Sequence, residues 1–472
     1  MVTRYEQVAS ELSTLISRGV LRPGDRIPSV RKACQQYRVN AGTVLQAYGQ
    51  LEARGLIMAR RRSGYYVRAI QAGWAREPAI SAPSHGSRRV NVANLAFEVL
   101  ASIKDRGIVP LGSAFPSPEL FPLQKLNKLA AAAARRLPTW SSISDLTPGN
   151  AELRRKIGLR YLESGLAISG DDIVITSGAL EAINLCLQAV TRPGDKVAIE
   201  SPTFYSTLMA IERMGLKAVE VATHPREGID LASLRTALDR HDIKACIFMP
   251  TFQNPLGSCM TDDNKQELVG MLARREVPLI EDDVYAELYF GGTRPRPAKA
   301  FDREGLVLHC GSFAKWLAPG YRVGWAAPGR FKEAVERLKF MTTLTTASLP
   351  QVAIVEYLKH GGCERHLRTL RQTLSAQLEY MRQALERHFP QGCCRVTRPE
   401  GGYLLWIELP RGVQALRLHQ LALQKRISIA PGPIFSSQRH YPNFIRVNFG
   451  HPWSKEMDDA VKVLGMITAE LM

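Results

Sequence analysis

The sequence has no long apolar segment, no signal-like beginning and no paired cysteine motif, and each absence excludes a class of protein. No apolar run approaches the roughly 20 residues that a membrane-spanning helix needs. Charged and apolar residues alternate from Arg4 onward, unlike a secretory signal peptide. The eight cysteines include the adjacent pair Cys393 and Cys394 but no C-x-x-C and no metal-like spacing with histidine. We therefore expect a cytoplasmic protein with free thiols and no metal site.

Acidic residues are scarce relative to basic ones, since 44 stand against 62 lysines and arginines, for a net charge of +18. Residues 1–68 contain twelve of the basic residues and only four acidic ones, a net charge of +8. Such a density of positive charge is typical of an element that faces nucleic-acid phosphates. A basic solvated surface that maintains solubility would have the same charge, so charge alone does not decide between them.

The length of 472 residues predicts more than one domain. Residues 1–70 form a compact basic segment. Residues 71–95 are rich in Ala, Pro, Ser and Gly, a composition that predicts a linker. In residues 96–472, apolar strand-like runs alternate with helical patterns, which predicts βαβ units and a mostly parallel sheet.

The first segment predicts three helices and a two-stranded hairpin. Arg22–Asp25 ends the first amphipathic helix. Ser29 can cap a second helix, and Asn40 a third that ends at Gly55. Two strand-like pieces follow, Leu56–Ala59 and Tyr65–Val67, joined by a basic tip. This order of elements predicts an α+β winged helix-turn-helix.

The third helix of such a module enters the major groove of double-stranded DNA, with its first residues nearest the bases. Arginines and lysines on the second helix and the wing would contact phosphates without reading sequence. The candidate DNA-binding residues are Arg31, Lys32, Asn40, Gly42, Thr43, Arg60, Arg61 and Arg62. A small structural helical domain with solvated arginines is the alternative.

Three motifs in this segment resemble the DNA-binding domain of the GntR family: LRPGDRIPSVR, TVLQAYGQLEARGLI and SGYYV. They occur in the family's order and spacing over residues 4–68. Many members of that family have Ser-Arg or a similar polar pair where this chain has Asn40-Ala41-Gly42-Thr43. The resemblance implies DNA binding but does not identify the residues that contact the bases.

In the second segment, several apolar runs end in small or polar clusters. The clusters are Ser177-Gly178-Ala179, Ser201–Tyr205, Gln253-Asn254-Pro255, Glu281–Tyr285 and Ser312–Lys315. The carboxyl ends of parallel strands meet at one edge of a sheet, and ligands bind there. We therefore expect these clusters to form one site.

Part of this site has the chemistry of a phosphate anchor. Gly178 and Ala179 open a predicted helix, whose first backbone N–H groups and dipole attract an anion. Ser312 and Arg322 could add a hydroxyl group and a fixed positive charge. A Ser-Gly pair before a helix is often only a cap.

The other members of the site suit an aromatic ring that carries a carbonyl group. Phe204 offers a flat face, Asp282 a carboxylate for a ring nitrogen, and Asn254 and Tyr285 donors for a ring oxygen. Lys315 lies among apolar residues, which would lower its pKa and favour Schiff-base formation. Together with the anchor, these groups describe pyridoxal phosphate (PLP). The alternative is an α/β domain without a ligand.

Residues from about 95 to 472 also resemble a fold-type I aminotransferase, through SGALEA, SPTFY, QNPLG, EDDVY, SFAKWLAPGYRVGW and IRVNFG. The resemblance implies that Lys315 is the catalytic lysine that attaches the cofactor. It implies the same cofactor contacts for the residues named above, with Tyr205 as an alternative to Phe204 for the ring stack. Arg446 would bind a substrate α-carboxylate, for which a guanidinium fork is suited; a structural salt bridge is its alternative role. A tyrosine that members often place before TPGNAELR is missing from residues 141–146.

A GntR-type module fused to an aminotransferase-like one resembles the MocR subfamily of transcription regulators. This resemblance implies a homodimer whose larger domain senses PLP or an amino compound, and whose liganded state alters DNA binding. A catalytically active aminotransferase that carries a DNA-binding domain is the other hypothesis. The sequence does not decide whether the chain is an enzyme.

Overall fold

The computed structural model describes residues 4–17, 20–21, 25–53, 56–60, 64–67, 75–84, 86–101, 107–137, 146–360 and 362–472. The chain divides into two compact units, Met1–Trp74 (unit 1) and Ala75–Met472 (unit 2), each with a core of its own. Among the described residues, no helix is both long and apolar enough to cross a membrane.

Unit 1 has three helices and an antiparallel hairpin. They are α1 (Arg4–Ser17), α2 (Val30–Tyr37), α3 (Ala41–Ala53), β1 (Ile57–Arg60) and β2 (Gly64–Val67). The Ser29 side chain accepts a hydrogen bond from the Lys32 backbone N–H, and Asn40 Oδ1 accepts one from the Thr43 N–H at 2.8 Å. Both predicted helix caps are therefore confirmed. The winged helix-turn-helix order is also confirmed.

Tyr48 of α3 lies at the centre of the unit 1 core and is fully buried. Its hydroxyl donates to the Pro28 carbonyl at 2.6 Å, so the buried polar group is satisfied. Its ring meets Tyr65 of the hairpin edge-on, with centroids 5.0 Å apart. These contacts connect α3 to the chain before α2 and to β2.

The main sheet of unit 2 has the strand order β3-β6-β5-β8-β9-β10-β11-β4, with β7 paired to β6. Its strands are β3 (Ser87–Arg89), β4 (Val174–Thr176), β5 (Lys196–Ser201), β6 (Lys217–His224), β7 (Gly228–Ile229), β8 (Ile243–Phe248), β9 (Leu279–Asp282), β10 (Val307–Ser312) and β11 (Gly324–Ala327). The central strands β6, β5, β8, β9 and β10, in the order of the sheet, are parallel to one another. Because β11 is antiparallel to both β10 and β4, β4 runs in the same direction as β10. The edge strand β3 lies in the segment whose composition predicts a linker.

Helices cover both faces of this sheet. Along β5, Val197 and Ile199 belong to one apolar core and Ala198 to the other, as expected for a buried parallel strand. The α-helices described in unit 2, including those that pack elsewhere, are α4 (Ala93–Ala101), α5 (Leu123–Arg136), α6 (Ala151–Leu162), α7 (Ala179–Val190), α8 (Tyr205–Arg213), α9 (Leu231–Arg240), α10 (Asp262–Ala273), α11 (Lys332–Thr343), α12 (Ser348–Lys359), α13 (Cys363–His388), α14 (Ala415–Gln424) and α15 (Lys455–Glu470).

A second, antiparallel sheet in unit 2 has the order β12-β13-β15-β14. Its strands are β12 (Arg395–Val396), β13 (Leu404–Glu408), β14 (Ala430–Pro431) and β15 (Phe444–Asn448). Trp406 of β13 is buried and stacks on Phe444 with ring centroids 5.4 Å apart. The central strand β15 carries Arg446, so this sheet determines where that side chain lies.

A buried carboxylate organises the surroundings of the segment after β10. Glu287 Oε1 accepts a hydrogen bond from Arg160 Nη2 at 2.8 Å. The Nη2 atoms of Arg294 and Arg371 each lie 3.3 Å from a carboxylate oxygen of Glu287. Burial alone would raise the pKa of Glu287, but the surrounding guanidinium groups hold it below its usual value. Arg160 also lies over the ring of Trp316, 5.1 Å from its centroid. The cluster therefore supports the residue next to Lys315.

We predict that Glu287→Gln lowers the free energy of unfolding of unit 2 by about 3 kcal/mol, because it leaves buried guanidinium groups without their counter-ion. The measurement is the thermal or denaturant midpoint of the full chain. Glu364→Gln is the matched control, since Glu364 also pairs with Arg160 but is 57% exposed; its effect should stay below about 1 kcal/mol. Equal midpoint shifts in the two variants would contradict the assigned role of Glu287.

Candidate functional site

A cavity of about 410 Å³ opens at the carboxyl ends of the parallel strands of unit 2. Residues at or just after the ends of β4, β5, β9 and β10 line it, so four of the five sequence clusters meet here. Gln253-Asn254-Pro255 is not among the lining residues. Five of the predicted site residues are polar or aromatic members of its wall: Phe204, Asp282, Ser312, Lys315 and Arg322. Much of the remaining wall is apolar, formed by Leu100, Phe115, Leu180 and Ile183.

The backbone at the start of α7 forms a cradle beside the Arg322 guanidinium. Gly178 has φ +90°, and a Cβ added there would lie 2.6 Å from Arg322 Nη2. A Cβ at Gly324 would lie 2.6 Å from the Gly178 carbonyl carbon. Side chains are therefore excluded at both positions, and the helix N-terminus with Ala179 lies next to an exposed cation. This combination of N–H groups, helix dipole and guanidinium suits an anion.

Lys315 lies in the cavity wall immediately after β10. Its Nζ donates to the Ala114 carbonyl at 2.8 Å, and lies 4.1 Å from the Phe115 ring centroid and 5.7 Å from that of Tyr285. Desolvation among these groups lowers the pKa of Lys315 to about 7, although the Asp282 carboxylate opposes the shift. The uncharged amine of Lys315 is therefore favoured relative to that of an ordinary exposed lysine.

Asp282 ends β9 and is buried at the base of the cavity. Its Oδ1 accepts the Val284 N–H at 3.4 Å. Burial raises the pKa of Asp282 to about 7, against the opposing effect of Lys315. Glu200 on β5 is also buried, and desolvation together with the charge of Asp282 raises its pKa to about 8. Glu200 is not predictable as a site residue from the sequence, because its strand has the pattern of an ordinary buried strand.

Asn254, Tyr285 and Arg446 are connected side chains, each at most 1% exposed. Asn254 Nδ2 donates to the Tyr285 hydroxyl at 3.4 Å, and Arg446 Nη1 donates to Asn254 Oδ1 at 3.1 Å. Arg446 Nη2 donates to the Gly112 carbonyl at 2.6 Å. Arg446 Nε is buried and has no hydrogen-bond partner among the described residues. A buried donor of this kind is costly unless a ligand satisfies it.

Phe204 and Ser312 both line the cavity, but they differ in how far their side chains are already engaged inside the protein. The Phe204 ring is half-buried and packs against Tyr205, with centroids 4.5 Å apart, while both residues line the cavity. Ser312 already uses its hydroxyl inside the protein: it donates to the Val323 carbonyl at 3.2 Å and accepts the Ala314 N–H at 3.1 Å. Ser312 therefore shapes the turn that presents Lys315.

Three buried side chains of metal-binding type, Glu281, Asp283 and His309, lie behind Asp282, with their ligand atoms within 4.8 Å of one another. Glu281 accepts the backbone N–H groups of Ala298 and Lys299. His309 lies between the Tyr161 hydroxyl, at 2.7 Å, and Asp283 Oδ2, at 3.0 Å. These hydrogen bonds make the cluster a structural support for the end of β9.

Two further positions near Lys315 that no motif predicts are Ala114, in the segment after residue 107, and Tyr403, immediately before β13. The Ala114 carbonyl accepts both Lys315 Nζ and, at 2.9 Å, the Tyr403 hydroxyl. Tyr403 also meets Tyr285 edge-on, with centroids 5.4 Å apart. Neither position has a motif in the sequence, because one contributes only a backbone oxygen and the other resembles a core aromatic.

The candidate DNA-binding residues of unit 1 lie on α2 and at the start of α3. Arg31 and Lys32 are exposed in the first turn of α2, as are Asn40 and Gly42 around the cap of α3. Thr43 is half-buried, and its hydroxyl donates to Asn40 Oδ1 at 3.0 Å. Arg60 ends β1. Arg61 and Arg62 lie outside the described residues.

The fold and the site together define a DNA-binding regulator whose larger unit has the fold of a fold-type I aminotransferase. Residues 122–464 match the family Aminotransferase class I and II, and residues 4–67 match Bacterial regulatory proteins, gntR family. The chain belongs to the aminotransferase class I and II family and has a GntR-type regulatory domain at its N-terminal end. The predicted fold class and MocR-type organisation are confirmed.

Two similar proteins of Escherichia coli strain K12 match almost the whole chain. The HTH-type transcriptional regulator YdcR is 45% identical over 467 residues, 99% of both chains, and YjiR is 36% identical over 98% of both. Both are described as uncharacterized HTH-type transcriptional regulators. This chain is likewise a transcription regulator with an aminotransferase-like domain.

A crystal structure of the Thermus thermophilus α-aminoadipate aminotransferase LysN matches with a TM-score of 0.72 and 28% identity, over 80% of this chain and 98% of LysN. LysN was crystallised with N-(5'-phosphopyridoxyl)-L-leucine.

We predict that Asp282→Asn lowers the pKa of Lys315 below about 7 in cofactor-free protein, because the carboxylate stabilises the ammonium form. The measurement is the pH dependence of Lys315 labelling by an amine-reactive reagent, followed by mass spectrometry. Asp171→Asn is the control, since this carboxylate is 87% exposed. A Lys315 pKa that stays the same or rises in Asp282→Asn would contradict the electrostatic coupling.

Proposed function

We propose that this chain is a PLP-binding transcription regulator in which PLP, or an amino compound bound with it, controls DNA binding by unit 1. One observation carries the proposal: a lysine with a lowered pKa, a buried carboxylate and a glycine cradle line the same cavity. Perturbed ionisable groups in a cleft are typical of functional sites. The packing of an ordinary hydrophobic core does not require a lysine, a carboxylate and a glycine cradle around one cavity.

The residues present fit the proposed cofactor. The cradle at Gly178 and Ala179, with Arg322, would bind the phosphate. A side chain at Gly178 or at Gly324 would obstruct this cradle. Phe204 would stack on the ring, and Asp282 would pair with the ring nitrogen. Asn254 and Tyr285, which already contact each other, would bind the ring hydroxyl. When bound, the cofactor supplies an aldehyde carbon for attachment to an amine and a ring that accepts electrons.

Lys315 would attach the cofactor and hold or transfer a proton at Nζ. An uncharged amine is the nucleophilic form, and a pKa of about 7 makes that form abundant at neutral pH. In the free protein, the Ala114 carbonyl orients Nζ. Ser312 is proposed to act through the turn that it caps.

Arg446 would bind the carboxylate of an amino acid. Its Nε has no hydrogen-bond partner within the described part of the chain, and its Nη groups are held by the Asn254 side chain and the Gly112 carbonyl. A planar guanidinium fixed in this way can offer a fork to a carboxylate without losing much side-chain entropy. Asn254 would then connect the amino-acid position with the ring hydroxyl.

Unit 1 would bind double-stranded DNA through α3 and the wing. Arg31 and Lys32 are exposed, as phosphate contacts require, and Asn40, Gly42 and Thr43 lie at the end of α3 that faces base edges in this motif. Arg60, Arg61 and Arg62 would reach phosphates from the wing. We further propose a homodimer, because palindromic sites suit paired helix-turn-helix modules.

A second candidate function is transamination. The lowered pKa of Lys315 favours it, since a base that moves a substrate proton works best with a pKa near the operating pH. Turnover of an amino acid and a keto acid at ordinary enzyme rates would support this function.

We predict that PLP changes the affinity of the full chain for its own upstream DNA, and that Lys315→Ala abolishes the change. The measurement is DNA binding with and without PLP at one fixed salt concentration, since phosphate contacts make affinity salt-dependent. Specific binding that is insensitive to PLP would contradict a cofactor sensor. Absence of specific binding would favour the aminotransferase.

We predict that Arg446→Lys weakens amino-acid binding to the PLP-loaded chain by about 10- to 100-fold, the effect of losing a charge-assisted hydrogen-bond pair. Titrating amino acids against the visible absorption of the bound cofactor measures this affinity. Affinity for PLP itself should change less, because lysine keeps the positive charge and Arg446 is joined to the proposed ring-hydroxyl residues by its hydrogen bond to Asn254. Unchanged amino-acid affinity would contradict the assignment.

A further inference from the structure

Cys393 and Cys394 form a pair of thiols that the proposed PLP site does not use. Both are half-buried, and their Sγ atoms are 3.2 Å apart. They follow a tight turn in which the Cys393 N–H donates to the Pro390 carbonyl at 3.1 Å and Gly392 has φ +70°. The turn therefore places two neighbouring side chains together at the start of β12.

The same stretch of chain holds the first residues of unit 2. The Val396 N–H donates to the Arg76 carbonyl at 2.9 Å, and Arg398 Nη2 donates to the Ala75 carbonyl at 3.4 Å. Ala75 directly follows Trp74, the last residue of unit 1. Val396 lies two residues after Cys394. A backbone change at the thiols would therefore act on the hydrogen bonds that hold Ala75 and Arg76, the first residues of unit 2.

We propose that Cys393 and Cys394 are an oxidation site, and that a disulfide between them releases the Arg76 carbonyl from the Val396 N–H. This proposal concerns the connection between the units and does not depend on which ligand the larger unit binds. It adds a covalent modification site to a chain whose other described cysteines are separate in sequence.

The oxidant is a hydroperoxide. A Cys393 thiolate attacks the terminal peroxide oxygen, so that an S–O bond forms, the O–O bond breaks, and the proton of the thiol ends in the product water or alcohol. Cys394 then attacks the Cys393 sulfur, so that the S–S bond forms, the S–O bond breaks, and the leaving hydroxide takes up the Cys394 thiol proton as water. Two electrons pass from the two thiols to the peroxide. The same two steps balance with the cysteines exchanged, since both thiols are half-buried.

Closing this ring must move the backbone. Adjacent Cα atoms are about 3.8 Å apart across a trans peptide, less than the roughly 4.4–6.8 Å that disulfides prefer. Rotation around residues 393–394 is therefore required, and the next residues form only a two-residue strand, β12, with Val396 opposite Ile407. A disulfide formed under such geometry is readily reduced, so the modification should be reversible.

The test treats the full-length chain with hydrogen peroxide, removes the peroxide and then applies limited trypsin. Arg76 has an exposed side chain. The rate of trypsin cleavage after Arg76 therefore reports how often the Arg76 carbonyl separates from the Val396 N–H. We expect the peptide with residues 393–394 to lose two hydrogen atoms in mass. Cleavage after Arg76 should accelerate about fivefold, the effect of losing one ordinary hydrogen bond, and dithiothreitol should reverse both changes.

Cys393→Ser and Cys394→Ser should each abolish both responses, whereas Cys259→Ser should retain both, since Cys259 is a half-buried cysteine whose Sγ donates to the Met260 carbonyl. A wild-type peptide that gains oxygen atoms and never loses two hydrogens would overturn the oxidation site. Disulfide formation without faster cleavage after Arg76 would overturn its coupling to the connection. Because the wild-type chain is its own reduced control, neither result depends on the variants folding.

Discussion

The parallel pairing of β8, β9 and β10 is the constraint on which the candidate site depends. Parallel register brings the ends of these strands to one edge, so Asp282, Ser312 and Lys315 share a cavity although they are far apart along the chain. The antiparallel strand β11 begins at the same edge, which places Arg322 and Gly324 beside Gly178. The second sheet adds Arg446 from β15.

Burying so many polar groups at one edge is unfavourable unless they satisfy one another. Asp282 and Lys315 are each shifted toward neutrality by desolvation, and each opposes the shift of the other. The cluster at Glu287 and the pair Asp283 and His309 hold the neighbouring segments in place. Among the described residues, Arg446 Nε remains a buried donor without a hydrogen-bond partner. A preorganised polar site of this kind suits a charged aromatic ligand.

Much of the fold followed from local patterns in the sequence. The helix caps at Ser29 and Asn40 and the helix that begins at Ala179 were predictable, because capping and hydrophobic period are local properties. The Ala114 carbonyl, Tyr403 and Glu200 were not, since their contacts with the site arise only from tertiary packing. The strand β3 was missed because a three-residue edge strand has too short a pattern to stand out in a polar, proline-rich segment.

The most direct test of the central claim is the place where PLP attaches. The full-length chain is incubated with PLP, reduced with borohydride and analysed by peptide mass spectrometry. The geometry predicts one phosphopyridoxyl group per chain, on Lys315, and none at this position when Gly178 is replaced by a residue whose side chain enters the Arg322 cradle. Attachment at other lysines, with Lys315 unmodified, would contradict the assignment of this cavity as the cofactor site.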